Sequence, residues 1–301
     1  MKHTARILLF IFVFTSSLSS HAADELETAK IDQITGLKGV LNEKEGVYKV
    51  SSPRTDVKVT VDQAAMPPFM GLTSWAAFKA DPKGGAMVMG DLVLFQDEVN
   101  PVMSVLLENG VAVTALHNHF FFDEPKVYFM HIGGIGETEK LATGVQKALA
   151  KVKEIRAALP VPASAFGGNA LADKSSITAA TLDEALGVKG AAKDGMYKAV
   201  IGREAKMPCG CEVGKEMGLN TWAAFMGTDN IAIVDGDFTV LEPELQDVLK
   251  TLRAGGINIV AIHHHMIEET PRYIFLHYWG KGEAAALAKT VRSALDRTKK
   301  N

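Results

Sequence analysis

The stretch GDLVLFQDEVNPVMSVLLENGVAVTALHNHFFFDEPKVYFMHI, residues 90–132, occurs a second time in altered form further along the chain. Residues 236–278 read GDFTVLEPELQDVLKTLRAGGINIVAIHHHMIEETPRYIFLHY and align with it without a gap, at an offset of 146 residues. Flanking segments repeat as well, such as GLTSWAAF at 71–78 and GLNTWAAF at 218–225. The chain is therefore predicted to contain two copies of one structural unit.

The repeat also indicates the domain boundaries. The first unit is predicted to span residues 31–150 and the second residues 181–296, with a linker at 151–180 that is rich in Ala, Gly, Pro and Ser. The chain has 301 residues, of which 47% are hydrophobic. That is enough chain for two ordinary domains with real cores.

Apolar periodicity within a unit predicts the order of its elements. In the first unit we expect strands at 47–50, 57–62, 73–80 and 86–95, a helix at 96–110, strands at 111–120 and 126–132, and a helix at 137–159. Each unit therefore ends in the order strand, helix, strand, strand, helix. This order favours an α+β fold, ferredoxin-like in part, with an antiparallel sheet and helices on one face.

The N-terminus has the pattern of a secretory signal peptide over residues 1–23. Lys2 and Arg6 precede an apolar run at 7–14, which is too short to span a bilayer, and the sequence SHAA at 20–23 resembles a small-residue cleavage site. The rest of the chain has no apolar run of about 18 residues, the length expected of a transmembrane helix. We therefore expect an exported protein, periplasmic or secreted, with no transmembrane segment after cleavage.

Charge argues against nucleic acid as a partner. Removal of residues 1–23 takes away two of the 32 basic residues and none of the 35 acidic ones, which leaves a net charge of −5 with histidine neutral. A general nucleic-acid binder would need a basic surface. A metal ion or a small molecule is therefore the expected kind of ligand.

Histidine is concentrated in the repeated stretch. The chain has nine histidines, two of which lie in the expected signal peptide, and the other seven all lie in the two copies of that stretch. Three positions carry histidine in both copies: His117, His119 and His131 in the first, and His263, His265 and His277 in the second. The remaining one, His264, is predicted to point to the other face of its strand.

A hairpin would bring these histidines together. Residues two apart on a strand share a face, so His117 and His119 are expected to project together. If the chain turns around Glu124 and Pro125, with opposed residues summing to 248, His117 faces His131. The same register places His263 opposite His277, with His265 beside them. A slip of one residue would send His131 to the far side.

Three converging neutral imidazoles with room for a water form a recognised catalytic zinc arrangement, and imidazole also suits copper, nickel and iron. We therefore expect a divalent transition metal, with zinc favoured, and a carboxylate near its open position as general base. The candidate bases are Glu124, Glu268 and Glu269. Alternatively, the histidines pack against the sheet and bond to one another, or form a metal-free polar pocket.

Other recurring residues are less specific. Trp75 and Trp222 lie in matching segments, either in the core or as aromatic platforms for an apolar or sugar ligand. Lys126 and Arg272 follow the turn prolines, either as candidate anion ligands or as solvated strand positions.

Two further pairs have simpler interpretations. Asp91 and Asp237 each follow a glycine of the repeat and are interpreted as strand ends. Cys209 and Cys211 are interpreted as partly buried thiols, a redox pair or soft metal ligands, and a bond between them would close a small ring.

Several motifs together resemble a known family. MPPFMGLTSWAAF at 66–78, the stretch from Gly90 to His119, and EETPRYIFLHYWG at 268–280 are similar to those of the LppY/LpqO family of bacterial envelope proteins. This family is known for a domain of unknown function, and the resemblance implies an exported protein with that domain in duplicate. Its named members look like lipoproteins, whereas this chain has no cysteine at the end of its signal peptide.

Three functions remain open at this point. The first is a metalloprotein, with metal-dependent hydrolase or isomerase activity on a small molecule. The second is a non-catalytic binding protein for a metal, a sugar or a cell-wall fragment. The third is a chain of two cupins, because the spacing H-x-H-x4-E from His117 to Glu124 fits a cupin metal motif. The helix predicted before each HxH strand argues against the cupin.

Overall fold

The structure is a computed structural model that describes residues 26–299. The signal peptide expected at 1–23 lies outside the described residues. None of the helices within 26–299 is both long and apolar enough to span a membrane.

Six α-helices lie within residues 26–299. They are α1 (Thr28–Thr35), α2 (Gln96–Glu108), α3 (Thr138–Ala158), α4 (Ala179–Leu186), α5 (Leu245–Ala254) and α6 (Ala284–Leu295). Three short 3₁₀ helices cover Pro68–Met70, Lys215–Met217 and Glu242–Glu244. Each repeat contributes three α-helices, in equivalent places, as a duplicated unit requires.

The strands of the first repeat are β1 (Val40–Asn42), β2 (Val47–Pro53), β3 (Thr60–Val61), β4 (Ala64–Ala65), β5 (Thr73–Ala80), β6 (Ala86–Phe95), β7 (Ala112–His117), β8 (Asp123–Glu124) and β9 (Val127–Gly136). Those of the second are β10 (Ala191–Lys193), β11 (Met196–Gly202), β12 (Ala205–Lys206), β13 (Glu212–Val213), β14 (Asn220–Gly227), β15 (Ala232–Leu241), β16 (Asn258–His263) and β17 (Tyr273–Gly282).

Twelve of these strands form one antiparallel sheet that both repeats share. Its order is β1-β2-β5-β6-β9-β7-β16-β17-β15-β14-β11-β10. The order reads the same for the two repeats from either edge to the centre, so the repeats are related by an approximate twofold axis between β7 and β16. The α+β class and the antiparallel sheet with helices on one face are confirmed, whereas the fusion of the two sheets was not predicted.

Buried and more exposed side chains alternate along the strands, so one face of the sheet is buried. Ala76 and Phe78 on β5, for example, point to the same side as Leu92 on β6 and join a core that includes residues of all six helices. This single core contains residues of both repeats, so the halves do not have separate interiors. We call the sheet surface opposite the helices the open face.

The junction between the repeats is made by few strand contacts and two side-chain amides. Leu116 on β7 and Ile262 on β16 are directly paired. Asn100 of α2 accepts a hydrogen bond from the Ile259 N–H at 2.8 Å and donates to the Ile259 carbonyl at 3.1 Å.

The twofold-related amide makes the same contacts in the other direction. Gln246 of α5 accepts from the Val113 N–H at 3.0 Å and donates to the Val113 carbonyl at 2.8 Å. The two central strands have few hydrogen bonds to each other. A side-chain amide from the helix of each repeat therefore supplies hydrogen-bond partners for peptide groups on the central strand of the other repeat.

Two small lobes stand on the open face. The first lobe is formed by residues 54–72 and 118–126, and its core joins Val59 and Leu72 to Phe129 of the sheet. The second lobe is formed by residues 203–219 and 264–272, with Val213 and Leu219 packed against Phe275. Because β7 and β16 are antiparallel, the lobes that follow their C-terminal ends rise at opposite ends of the open face.

A buried ion pair ties each lobe to the helix beneath the sheet. Arg54 binds Glu98 of α2, with Nη1 to Oε2 at 2.7 Å, and both side chains are almost fully buried. The equivalent Arg203 binds Glu244 at 2.5 Å. Buried charges of this kind are tolerated when they are paired and hydrogen-bonded, so we assign these residues a structural role.

Three expectations about local structure need correction. The strand expected at 57–62 is present only at Thr60–Val61, because Val57 and Val59 instead pack into the first lobe. The strand expected at 111–120 ends at His117. The linker expected at 151–180 begins later, because α3 continues to Ala158 with Val152 and Arg156 buried.

The junction predicts a large effect of Asn100→Ala on stability. The substitution leaves the buried N–H and carbonyl of Ile259 without partners, which should lower the free energy of unfolding by about 1–3 kcal/mol. Urea unfolding measures the change. Asn169→Ala, at an exposed position after α3, is the control and should change stability by less than about 0.5 kcal/mol. Equal stabilities for the two variants would contradict a role for the amide in joining the repeats.

Candidate metal centre

The register of the histidine strands differs from the one expected. His117 is paired with Phe129 and Ala115 with His131, so opposed residues sum to 246 rather than 248. Further from the turn, a bulge between Val113 and Ala115 changes the sum again, to 245. A displacement by two residues leaves every side chain on its original face. The second repeat has the same register, with His263 opposite Phe275.

The structure brings the three histidines of the first repeat together on the open face. The ring of His117 lies 5.1 Å from those of both His119 and His131, and it is stacked on the latter. His119 follows the end of β7 and is held in place by stacking on Phe129, with the ring centroids 3.3 Å apart.

The second repeat has the same cluster with closer contact to an acid. His263 lies 5.0 Å from His265 and 4.9 Å from His277, centroid to centroid. Nε2 of His265 is 3.2 Å from Oδ2 of Asp237. One donor atom each from Asp237, His263 and His265 lies within 4.8 Å of the others. No other set of three His, Cys, Asp or Glu side chains in residues 26–299 is gathered this closely.

The aspartates are the site residues that the sequence interpretation missed. Asp91 is directly opposite His131 on the neighbouring strand, and Asp237 is directly opposite His277. Both lie in the middle of long strands, so their interpretation as strand ends is wrong. Oδ1 of each aspartate is buried and has no hydrogen-bond partner, and neither has Nδ1 of His263. The recurrence of Gly-Asp at the offset of the histidines was a signal available in the sequence.

Burial shapes the protonation of the cluster. It lowers the pKa of His263 to about 4, with help from the neighbouring histidines, and it lowers the pKa of His117 and His119 as well. These imidazoles are therefore neutral at pH 7, the form that binds metal. Burial also raises the pKa of Asp237, although His277 and His265 oppose this effect.

The glutamates expected to act as general bases are not part of this geometry. Glu269 is buried, and its carboxylate accepts a hydrogen bond from the Tyr273 N–H at 3.0 Å, which stabilises the turn. Glu124 is exposed in β8, which pairs with β3 of the first lobe. Glu268 is exposed, with a left-handed φ of 68°. The acid that contacts the histidines comes from β15, because that strand is the neighbour of β17.

The predicted ligand-binding residues divide into two groups. Lys126 forms an ion pair with the buried Asp123 at 2.9 Å, within the first lobe, and Arg272 is exposed in the second. Trp75 and Trp222, in contrast, lie half-buried on the open face, directly opposite Asp91 and Asp237. The structure therefore places the tryptophans, and not the two cations, beside the histidine clusters.

Cys209 and Cys211 are joined by a disulfide on an exposed hairpin between β12 and β13. The interpretation as partly buried thiols is therefore wrong. The hairpin belongs to the second lobe, whose Met207 and Met266 pack beside Phe275.

Comparison with known proteins assigns a family but no activity. A family model described as Domain of Unknown Function (DUF1259) matches residues 29–151 and again 180–297. The chain belongs to this family and carries its domain twice. No curated protein and no solved structure matches the chain.

The buried and unpartnered Oδ1 of Asp237 predicts that Asp237→Asn stabilises the metal-free protein. Burial disfavours the charged form of this carboxyl group and raises its pKa, so the neutral amide should raise the free energy of unfolding by about 1 kcal/mol. Urea unfolding after chelator treatment tests this. Asp235→Asn, exposed two residues earlier on the same strand, should have little effect. A less stable Asp237→Asn variant would show that the carboxylate stabilises the fold itself.

Proposed function

We propose that this protein binds divalent transition-metal ions, with one centre in each repeat. The observation that carries the proposal is the gathering of Asp237, His263 and His265, with donor atoms within 4.8 Å of one another, where buried atoms lack partners. Two imidazoles and a carboxylate, with a third imidazole adjacent, suit zinc best, and they also suit copper, nickel or iron. The first repeat offers the equivalent residues in a looser arrangement, so its ion binds more weakly.

Two side chains leave room for a ligand on the metal. His265 is 30% exposed at its side chain, and His119 is exposed as well. A metal held from the sheet side keeps a coordination position towards solvent, as catalytic zinc sites do. This supports metal-dependent hydrolysis or isomerisation of a small molecule as the second candidate function. The alternative is a non-catalytic binding protein for a metal, a sugar or a cell-wall fragment, which the tryptophans of the open face support.

The architecture argues against the cupin alternative. Cupins are double-sheet jelly rolls of β-strands, whereas this chain has one open sheet with helices covering a single face.

We infer further that the protein is exported and acts in the periplasm or outside the cell. The basic and apolar pattern of residues 1–23 supports this, as does the similarity to LppY/LpqO envelope proteins. Within the DUF1259 family, membership of the LppY/LpqO group is likewise our proposal.

Metal binding should be detectable in the metal content of the purified protein and in its thermal stability. We expect native protein purified without chelator to contain a transition metal by elemental analysis. Added zinc should raise the melting temperature of the chelator-treated protein, because a ligand that binds only the folded state stabilises it by about 2.7 kcal/mol at 100 times its dissociation constant. Protein that contains no metal, and whose melting temperature does not respond to zinc, copper, nickel or iron, would refute the proposal.

A neighbouring histidine provides a matched control for the site. His263→Ala should weaken the tighter zinc site by at least about 100-fold, because loss of a ligand exceeds the effect of losing its supporting residues. His264→Ala should bind zinc as the wild type does, since its Nδ1 faces the Tyr273 carbonyl at 3.0 Å. His117→Ala should leave the tighter site intact and remove only the weaker one. Zinc titration by calorimetry separates these cases, and equal effects of His263→Ala and His264→Ala would contradict the assignment.

A further inference from the structure

Each repeat carries a row of side chains that crosses the open face from its outer strands to the histidines. Successive residues of a row are direct cross-strand partners, and they therefore share a face. The rows are Ser51, Trp75, Asp91, His131 and Ala115 in the first repeat, and Val200, Trp222, Asp237, His277 and Ala261 in the second. A tryptophan thus lies next to the metal-binding aspartate in both rows.

A lysine lies over each of these tryptophans. The ammonium of Lys49, from β2, is 4.1 Å from the ring centroid of Trp75, and that of Lys198, from β11, is 4.2 Å from that of Trp222. Both lysines are exposed, and neither has an ion-pair partner among residues 26–299. The indole holds each cation in one place by cation–π attraction but does not neutralise it.

The distance from lysine to metal centre is within reach of one small molecule. Neighbouring strands are about 4.8 Å apart, and opposed Cβ atoms about 5 Å. The ammonium lies above β5 or β14, while the donor atoms lie above the two or three strands that follow. The ammonium and the donor atoms are therefore separated by roughly 10 Å. The surface between them is formed by the tryptophan and by the sheet.

Charge along the row favours an anion. The lysine and a divalent ion together outweigh the one aspartate, so a metal-loaded row is positive on a chain whose formal net charge is −3. The exposed Asp235 lies at the side of the second row, whereas its equivalent in the first repeat is Met89. The first row therefore carries less negative charge.

We propose that each metal centre and the adjacent lysine–tryptophan pair form one binding site for an elongated small organic anion. One donor group of the ligand binds the metal, a carboxylate or phosphate at its other end binds Lys49 or Lys198, and its apolar middle lies along the tryptophan. This assignment rests on the proposed metal site and adds the class of ligand to it.

Chain length is the property that tests two-point binding. The probes are acetate, succinate, adipate and suberate, titrated into zinc-loaded protein whose zinc content has been measured. Affinity should rise from acetate to suberate, because only the longer diacids reach from the metal to the ammonium. A parallel series with terminal phosphonates in place of one carboxylate tells whether the lysine end takes a carboxylate or a phosphate-like group.

Variants of the lysines separate their contribution to ligand affinity from that of the metal. In Lys49→Met with Lys198→Met, suberate affinity should fall about fivefold, the scale of one exposed ion pair, while acetate affinity and zinc content stay unchanged. Lys49→Arg with Lys198→Arg should retain the length dependence, since arginine keeps the charge and stacks on aromatic rings. Lys79→Met is the matched control, because Lys79 is an exposed lysine on the strand and face of Trp75.

The outcomes separate the two proposals. Zinc-loaded methionine variants that bind suberate as tightly as the wild type would overturn the lysine assignment and leave the metal site standing. Wild-type protein that binds no metal would overturn the metal site, and with it two-point binding. Length dependence that is lost in the methionine variants, kept in the arginine variants and kept in Lys79→Met would support the proposal.

Discussion

The pairing of β7 with β16 is the constraint on which the rest of the molecule depends. Each of these strands would otherwise be the exposed edge of its own sheet, with a row of peptide groups open to solvent or to another chain. Their direct pairing is brief, and beyond it Asn100 and Gln246 supply the hydrogen bonds that a neighbouring strand would have made. The two repeats thereby share one sheet and one core.

The same junction determines where the chemistry lies. Leu116 and Ile262 point into the common core, so the next residues, His117 and His263, both point to the open face, on either side of the junction. Two clusters that are 146 residues apart in sequence therefore lie on one continuous surface. The lobes support them from opposite ends, through the stacking of His119 on Phe129 and of His265 on Phe275.

The histidine clusters concentrate buried polar atoms without partners: Oδ1 of Asp91, Oδ1 of Asp237 and Nδ1 of His263. Other buried side chains, such as Arg156, Arg203 and Glu269, also have one or more unpartnered atoms, but each makes an ion pair or a hydrogen bond through another atom. Sites that break local rules in an otherwise consistent structure are where function is expected. That both repeats share the unpartnered aspartate oxygen strengthens this argument.

The amino-acid sequence by itself determined the duplication, the class of fold and the two groups of histidines, because these follow from local periodicity and from comparison of the chain with itself. Only the tertiary structure decided which carboxylates meet the histidines. Asp237 and His277 are 40 residues apart and become neighbours through the pairing of β15 with β17. Glu269 is closer to the histidines in sequence, but its carboxylate instead accepts a hydrogen bond from the Tyr273 N–H within the turn. The tertiary structure also decided the fusion of the sheets, because strand pairing and edge satisfaction depend on distant parts of the chain.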